Sequence, residues 1–394
     1  MYSGYNSGPN MYPGAPMPGY NPTGVGGYPA VPPQGYAPQP YGQPPYNPYP
    51  SAYPPNPYGA QPYPYPNVAP TYPQPPMAQP VYPPVPMANQ GVDNYCQILH
   101  SAMKGLGTDE NAIINVICNT DALQRAEIRR RYVALFGKDL IKKLKDELSG
   151  NFEDTVVGLF MTPPEYDAYC LYKAMKGLGT NEGVLIEIIG TRSNQEIQMI
   201  KSEFYNNYGK PLEKWVSSET SGHLKKLLIS LLQANRSMNT MPDPMMCQGE
   251  AQALYMAGEG RLGTDETTFI RIFANRSAAE INMINDCYSR LRGKGLLHAI
   301  DKEFSGDIKK LLKTVMEGLL NLPAYFAKRI REAVEGVGTN DSKLVRVIVS
   351  RSEIDLGLIK QAYRERYGRD MLYDVRDDTS GYYKEILTGL IARC

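Results

Sequence analysis

The segment MKGLGTDE at residues 103–110 decides the fold of this 394-residue chain, because related segments follow it three times. The later copies are MKGLGTNE at 175–182, GEGRLGTDE at 258–266 and VEGVGTND at 334–341. Their tetrads, of the form Gly-x-Gly-Thr or Arg-Leu-Gly-Thr, recur at spacings of 72, 84 and 75 residues. Spacings of this size predict four copies of one structural unit.

A second element keeps the same register in every copy. An acid-x-Ser-Gly stretch begins 40 residues after the last glycine of each tetrad, at Glu147, Glu219, Glu303 and Asp378. Around these elements apolar residues recur at three- and four-residue steps, as at Ile113, Ile114 and Ile117, and no strand-like alternation of any length occurs. The sequence therefore predicts an all-α fold of four repeats.

The first part of the chain has a different composition. Of the 34 prolines, 28 lie before residue 91, together with 15 of the 30 tyrosines, and the first charged residue is Asp93. Such a sequence buries too little apolar surface to offset the entropy of ordering, so we expect a disordered Pro/Gly/Tyr-rich tail. Three roles remain open for it: a spacer, a ligand for aromatic grooves of a partner, and weak self-association through tyrosine.

The domain organisation predicted from these elements has six parts. They are a tail at 1–90, repeats at 91–161, 162–234, 248–320 and 321–394, and a linker at 235–247. The linker accounts for the wider middle spacing and carries Pro242 and Pro244. We expect it to join two pairs of repeats.

The charge balance excludes a protein held on its partner by net charge. The chain has 41 Lys and Arg against 40 Asp and Glu, so it has no standing attraction to nucleic acid or to an anionic membrane. No stretch approaches 18 consecutive apolar residues and no leader is visible, which predicts a soluble, cytoplasmic protein. Six cysteines without a C-x-x-C pair fit a reducing compartment better than a disulfide or zinc framework.

Each tetrad lies between two predicted amphipathic helices. The hydroxyl of Thr108 and its counterparts are expected to cap the helix that follows. Taken alone, such a loop is a plain turn between helices. Together with the distant acid it fits Ca²⁺, which takes 6 to 8 oxygens and mixes backbone carbonyls with a bidentate carboxylate. Three carbonyls and one carboxylate supply about five oxygens, which leaves about two positions for water or a phosphate.

The residue directly before the last glycine of the tetrad is apolar in every copy. These residues are Leu106, Leu178, Leu262 and Val337. An apolar side chain at the tip of an exposed loop has no core to enter, so we expect all four to contact a bilayer. Calcium at the same loops adds the positive charge that the chain lacks, which makes attraction to anionic lipid conditional on calcium.

The repeated segments, with DTSGYY at Asp378, resemble those of the annexin family over residues 90–394, and the tail resembles that of the long-tailed, synexin-like members. The resemblance implies five helices in each repeat and a curved disc with its calcium loops facing the membrane. It also implies calcium-dependent binding to phosphatidylserine-like membranes, vesicle trafficking and membrane aggregation. Recruitment of penta-EF-hand calcium proteins by the tail is a further implication, with residues 44–58 as the best segment.

The resemblance further implies a set of calcium ligands in each repeat. These are the carbonyls of Met103, Gly105 and Gly107 with the Glu147 carboxylate, those of Met175, Gly177 and Gly179 with Glu219, those of Gly258, Arg261 and Gly263 with Glu303, and those of Val334, Gly336 and Gly338 with Asp378. The loop of repeat three is one residue longer than the others. Lys104 and Lys176 are placed to meet a lipid phosphate, whereas repeat four has Glu335, so we expect repeat four to bind membrane more weakly.

An arginine also recurs 13 residues after the last glycine of the tetrad. It is Arg192, Arg276 or Arg351 in repeats two to four, whereas repeat one has Thr120. We expect this arginine to pair with a carboxylate between helices and repeat one to be less rigid without it.

Other functions have weaker support. GEGRLG at 258–263 matches the dinucleotide fingerprint, but no strand precedes it. The three histidines share no position in the repeat and no nucleophile recurs beside them, so no enzyme is predicted. The loop sequence of an EF-hand is absent. A tail-driven interaction scaffold anchored by the repeats stays open, as do a nuclear pool and a calcium channel, which would require a rearranged form.

Overall fold

A computed structural model describes residues 89–394. This part of the chain forms twenty α-helices and no strand, five helices to each repeat, so the predicted all-α class is confirmed. The predicted tail lies almost wholly outside the described residues. No helix within 89–394 has both the length and the apolar character needed to cross a lipid bilayer.

The first half of the helices belongs to repeats one and two. They are α1 (Asn89–Ala102), α2 (Glu110–Cys118), α3 (Ala122–Phe136), α4 (Leu140–Glu147), α5 (Gly150–Leu159), α6 (Pro163–Met175), α7 (Glu182–Thr191), α8 (Asn194–Tyr208), α9 (Leu212–Glu219) and α10 (Gly222–Leu232). The first helix of the described residues begins inside the predicted tail, since α1 starts at Asn89.

The second half belongs to repeats three and four. They are α11 (Pro244–Ala257), α12 (Glu266–Asn275), α13 (Ala278–Arg292), α14 (Leu296–Glu303), α15 (Gly306–Leu320), α16 (Leu322–Val334), α17 (Asp341–Arg351), α18 (Leu356–Tyr367), α19 (Met371–Asp378) and α20 (Gly381–Arg393).

The third helix of each repeat shows how the sequence sets the helix ends. In α8 the Ser193 hydroxyl accepts from the Glu196 amide, and the Glu196 carboxylate accepts from the Ser193 amide in return, so two free donors are satisfied. The helix stops at Gly209, whose φ of 70° costs little without a Cβ. A glycine with φ of 64° to 72° ends the third helix of the other three repeats as well.

Two hydrophobic cores lie within residues 89–394. One contains side chains from repeats one and four, such as Ile117 and Phe326. The other contains side chains from repeats two and three, such as Leu228 and Phe273. All four of these side chains are fully buried. The repeats at the two ends of the helical chain therefore pack together, which no local sequence pattern indicates.

The segment 235–247, predicted to join two pairs of repeats, connects repeat two to repeat three along the chain. The repeats that share a core are one with four and two with three. The backbone of the segment lies against repeat three, since the Ser237 amide donates to the Asn275 carbonyl at 2.7 Å. Its last residues are helical, because Asp243 caps α11 and Pro244 suits a first helical turn.

A buried ion cluster joins repeats two and four. The Glu187 carboxylate on α7 is 1% exposed and accepts from Arg346 at 2.7 Å and from Arg329 at 3.2 Å. Burial alone would raise the pKa of Glu187, but these two guanidinium groups outweigh it and hold the pKa below its ordinary value. Because the two repeats belong to different cores, this cluster is a polar contact between the cores.

The predicted pairing of the repeated arginine is confirmed in repeats two and three. Arg192 donates to both oxygens of Asp167 on α6, at 2.6 and 2.9 Å. Arg276 also pairs with an acid of the first helix of its repeat, because its Nε and Nη2 donate to one oxygen of Glu250 on α11, at 3.2 and 2.5 Å.

Repeat four does not follow this pattern. Phe326 stands where the acid of the first helix is expected, and Arg351 pairs instead with Asp355, four residues further on. The Arg351 guanidinium also lies 4.9 Å from the centre of the Phe326 ring.

Repeat one has a different buried arginine. Arg125 on α3 is 1% exposed and donates to the Leu159 carbonyl at 2.7 Å and to Glu353 of repeat four at 2.8 Å. Arg125 also donates to the Thr120 carbonyl, so it supports the segment where the other repeats have their arginine. The lower rigidity of repeat one stays a prediction.

Candidate metal centres

The loop and the acid of each repeat lie side by side in the structure. In every repeat the loop threonine donates its hydroxyl hydrogen to the acid 39 residues further on. The oxygen–oxygen distances are 3.3 Å for Thr108 to Glu147, 3.0 Å for Thr180 to Glu219, 2.9 Å for Thr264 to Glu303 and 2.6 Å for Thr339 to Asp378. One hydrogen bond therefore fixes the same acid against the same loop four times.

This contact corrects the expected role of the threonine. The helix after the loop is capped by the next residue instead, and three of these residues accept an amide through their side chains. They are Asp109, Asn181, Asp265 and Asn340, of which Asn181 makes no side-chain cap. The threonine hydroxyl is thus free to orient the carboxylate.

Glycine allows the loops to turn sharply. In repeat one φ is 110° at Gly105 and 87° at Gly107, a region that side chains with a Cβ rarely adopt. The corresponding glycines of repeats two and four lie within 6° of these values. A backbone hydrogen bond from the Asp109 amide to the Ala102 carbonyl, 2.9 Å long, closes the turn.

Repeat three closes its loop with one extra residue, as the sequence indicates. Its hydrogen bond runs from the Asp265 amide to the Ala257 carbonyl, eight residues apart, whereas the other three span seven. Gly258 packs against the acid in this loop, since a Cβ there would lie 3.1 Å from Cγ of Glu303.

Most of the predicted carbonyl ligands have no hydrogen-bond donor. Within the described part of the chain, no amide or side chain donates to the carbonyls of Met103, Gly105 or Gly107, nor to their counterparts in repeats two and four. In repeat three the Gly258 carbonyl accepts from the Arg261 amide at 3.0 Å. Free carbonyls beside a positioned carboxylate are ligands that a hard cation prefers.

The donor set fits calcium better than a softer metal. Across residues 89–394, no three His, Cys, Asp or Glu side chains lie close enough together to hold a metal ion. At these loops one carboxylate lies beside backbone carbonyls, a mixed set of oxygens that Ca²⁺ readily takes. The structure brings together the predicted loop and acid of every repeat, and the ligand roles of the individual residues stay predictions.

The four loop tips project into solvent. Leu106, Leu178, Leu262 and Val337 each have a relative exposure of 100% or more, the highest among the exposed large apolar side chains of the described residues. Four apolar side chains at equivalent positions of a repeat, all without packing partners, form a set that chance exposure does not explain.

The basic residues of the loops differ between repeats. Lys104 and Lys176 are exposed, and the Lys176 ammonium lies 5.3 Å from the centre of the Tyr172 ring. Glu335 of repeat four pairs with Arg331 at 3.1 Å. The difference in charge that the sequence indicates is therefore present at the loop surface.

Repeat one has a feature that the sequence reasoning missed. Glu147 forms an ion pair with Lys143, one helical turn earlier on α4. This hydrogen bond is the main cause that lowers the pKa of Glu147 below its ordinary value. The signal was present as a basic residue four positions before the acid, a spacing that brings helical side chains together.

Fold and loops together define a helical repeat protein with one candidate metal centre in each repeat. Comparison with known proteins agrees, because the sequence model of the annexin family matches residues 94–159, 166–231, 249–315 and 325–390. The chain belongs to the annexin family.

Individual relatives support the assignment. Human Annexin A7 is 46% identical over 308 residues, which are 78% of this chain and 63% of that protein. Annexin A11 of Oryctolagus cuniculus is 42% identical over 327 residues, 81% of this chain and 65% of that protein. The matched part thus spans about two thirds of these relatives' lengths. Both are long-tailed annexins, so the resemblance stated from the sequence is confirmed.

A solved structure shows the same fold. Calcium-bound annexin (Sm)1 has a TM-score of 0.67 and 32% sequence identity, and the match covers 78% of this chain and 92% of that one.

Proposed function

We propose that this chain binds anionic phospholipid membranes when calcium occupies its four loop-and-acid centres. The observation that carries the proposal is the contact between loop threonine and acid, made in all four repeats beside a fully exposed apolar tip. The calcium-bound state of annexin (Sm)1 supports the choice of ion.

The charge of the chain explains why calcium is needed. With 41 basic and 40 acidic residues, the protein offers little attraction to an anionic surface by itself. Each bound Ca²⁺ supplies two positive charges next to an apolar tip and leaves positions open for a lipid phosphate. The threonine holds the carboxylate toward the loop, so the oxygens are positioned before the ion arrives.

The tips provide the second half of the interaction. Leu106, Leu178, Leu262 and Val337 lose their contact with water when the loops reach the boundary between headgroups and acyl chains. This apolar term is independent of salt, whereas attraction between the ions and the lipid weakens as salt screens it. The protein is then cytoplasmic at low calcium and peripheral on membranes when calcium rises.

Co-sedimentation with vesicles tests this function. We expect the protein to sediment with phosphatidylserine vesicles in calcium, and to stay in the supernatant with EDTA or with pure phosphatidylcholine vesicles. Binding that ignores both calcium and headgroup charge would exclude the proposal.

We also propose that the tail decides what the membrane-bound protein gathers. Its repeated Pro and Tyr residues, as at 44–58, fit aromatic grooves of a partner, with penta-EF-hand proteins and self-association as the two candidates. Because α1 begins at Asn89 and Val92 is buried, the informative deletion ends at residue 88. Vesicle binding should survive this deletion while vesicle aggregation decreases, and an unchanged aggregation would contradict the role.

A further inference from the structure

Lys143 distinguishes the centre of repeat one from the other three. Its ammonium group forms an ion pair with one oxygen of Glu147, and the Thr108 hydroxyl donates to the other oxygen. Neither oxygen of this carboxylate is therefore without a partner. Among residues 91–394, no basic side chain forms an ion pair with Glu219, Glu303 or Asp378, so these three acids are held by threonine without a competing cation.

The sequence at the same helical position explains the difference. Four residues before the acid, repeat one has Lys143, whereas the other repeats have Trp215, Ala299 and Asp374. The Asp374 carboxylate is itself occupied by Arg331, Arg369 and the Tyr363 hydroxyl. A lysine four residues before the acid therefore occurs in repeat one and in none of the other three repeats.

We propose that Lys143 is a built-in competitor of calcium at Glu147, so that the centre of repeat one fills at a higher calcium concentration than it would without this lysine. This inference rests on the function proposed above. A bidentate carboxylate ligand has to release the ammonium group first, and an ammonium group that stays nearby repels the incoming ion.

The competitor can be displaced without damage to the fold. The side chains of Lys143 and Glu147 are 26% and 22% exposed, so the lysine can swing into water. An ion pair of this kind, four residues apart on a helix surface, is weak and screened. We therefore expect a shift in calcium affinity of about fivefold rather than loss of the centre.

Calorimetry on a protein with one remaining centre tests the proposal. The background is the full chain with Glu219→Gln, Glu303→Gln and Asp378→Asn, titrated with calcium chloride. Lys143→Met removes the charge and keeps the apolar stem, whereas Lys143→Arg keeps the charge. Lys142→Met is the matched control, since Lys142 lies on the same helix, is exposed and forms no ion pair with Glu147.

The expected result is about fivefold tighter calcium binding for Lys143→Met, with Lys142→Met and Lys143→Arg close to the background. Equal shifts for Lys143→Met and Lys142→Met would overturn the proposal, because net charge would then explain them. No heat of binding in the Lys143→Met protein would overturn it as well. Wild-type vesicle binding is measured in parallel. Vesicle binding that does not depend on calcium would refute the proposed function. Calcium-dependent vesicle binding together with equal calorimetric shifts for the two lysine variants would refute the lysine proposal alone.

Discussion

The Thr339 hydroxyl lies 2.6 Å from a carboxylate oxygen of Asp378, which follows it by 39 residues. The same pair of positions meets in each of the other repeats, with glutamate in place of aspartate. The loop after the first helix of a repeat and the acid at the end of its fourth helix are thus held together by one hydroxyl group. Several consequences of this arrangement can be measured.

Removal of the hydroxyl from repeat two should weaken its centre. In Thr180→Val the Glu219 carboxylate loses the group that orients it, and loss of such an outer partner weakens metal affinity by about tenfold. The single tryptophan of the chain, Trp215, lies one helical turn before Glu219, so its fluorescence during a calcium titration reports this centre. Thr388→Val is the control, because that hydroxyl bonds only to carbonyls of its own helix. An unchanged midpoint for Thr180→Val would show that the hydroxyl does not position the acid.

The loop tips should matter for lipid and not for calcium. Because burial of a leucine stabilises by about 1.5 to 3 kcal/mol, Leu106→Ser with Leu178→Ser should weaken vesicle affinity by at least about tenfold at fixed calcium. The heat of calcium binding without vesicles should be unchanged. Leu123→Ser with Leu358→Ser is matched, since these leucines are 49% and 51% exposed and lie outside the loops. Equal losses in both double variants would contradict insertion of the tips.

The buried contact between repeats two and four should be important for stability. Glu187→Gln leaves Arg346 and Arg329 without their buried counter-charge, so the free energy of unfolding should decrease by about 3 to 5 kcal/mol in urea titrations. Glu317→Gln removes a more exposed partner from Lys328, and the expected loss is below about 1 kcal/mol. Similar losses for the two variants would mean that the burial of Glu187 is unimportant.

The same carboxylate predicts how stability depends on pH. The pKa of Glu187 is lowered in the folded protein, because its arginine partners outweigh the effect of burial. Its contribution to stability is therefore complete above the unfolded pKa of about 4.5 and decreases as the pH falls toward the lower folded value. The urea midpoint should fall on acidification in the wild type and fall less steeply in Glu187→Gln. Parallel pH profiles would assign the acid sensitivity to other carboxylates.

The sequence predicts much of this molecule because four copies of each motif are present. A fixed offset of 40 residues, repeated in every copy, is enough to tie Gly107 to Glu147. The exposure of Leu106 follows from its place between two glycines that turn the chain. The first of these predictions is reliable because the offset recurs in every repeat, and the second because it depends only on neighbouring residues.

The features that sequence reasoning misses depend on contacts between repeats or on a single copy. Nothing in the sequence near Arg125 indicates that it reaches Glu353, 228 residues away. The pairing of repeats one and four in one core is equally non-local. A helix cap is the common use of threonine at the position of Thr108, and only the folded loop shows the competing acid.

The most direct measurement is vesicle co-sedimentation of the wild type and of a protein with all four acids neutralised. That variant combines Glu147→Gln, Glu219→Gln, Glu303→Gln and Asp378→Asn, and circular dichroism in EDTA establishes that it is folded. We predict that the wild type sediments with phosphatidylserine vesicles as calcium rises and that the fourfold variant stays in the supernatant at the same concentrations. Sedimentation of the variant at the same calcium midpoint as the wild type would contradict the assignment of the four acids.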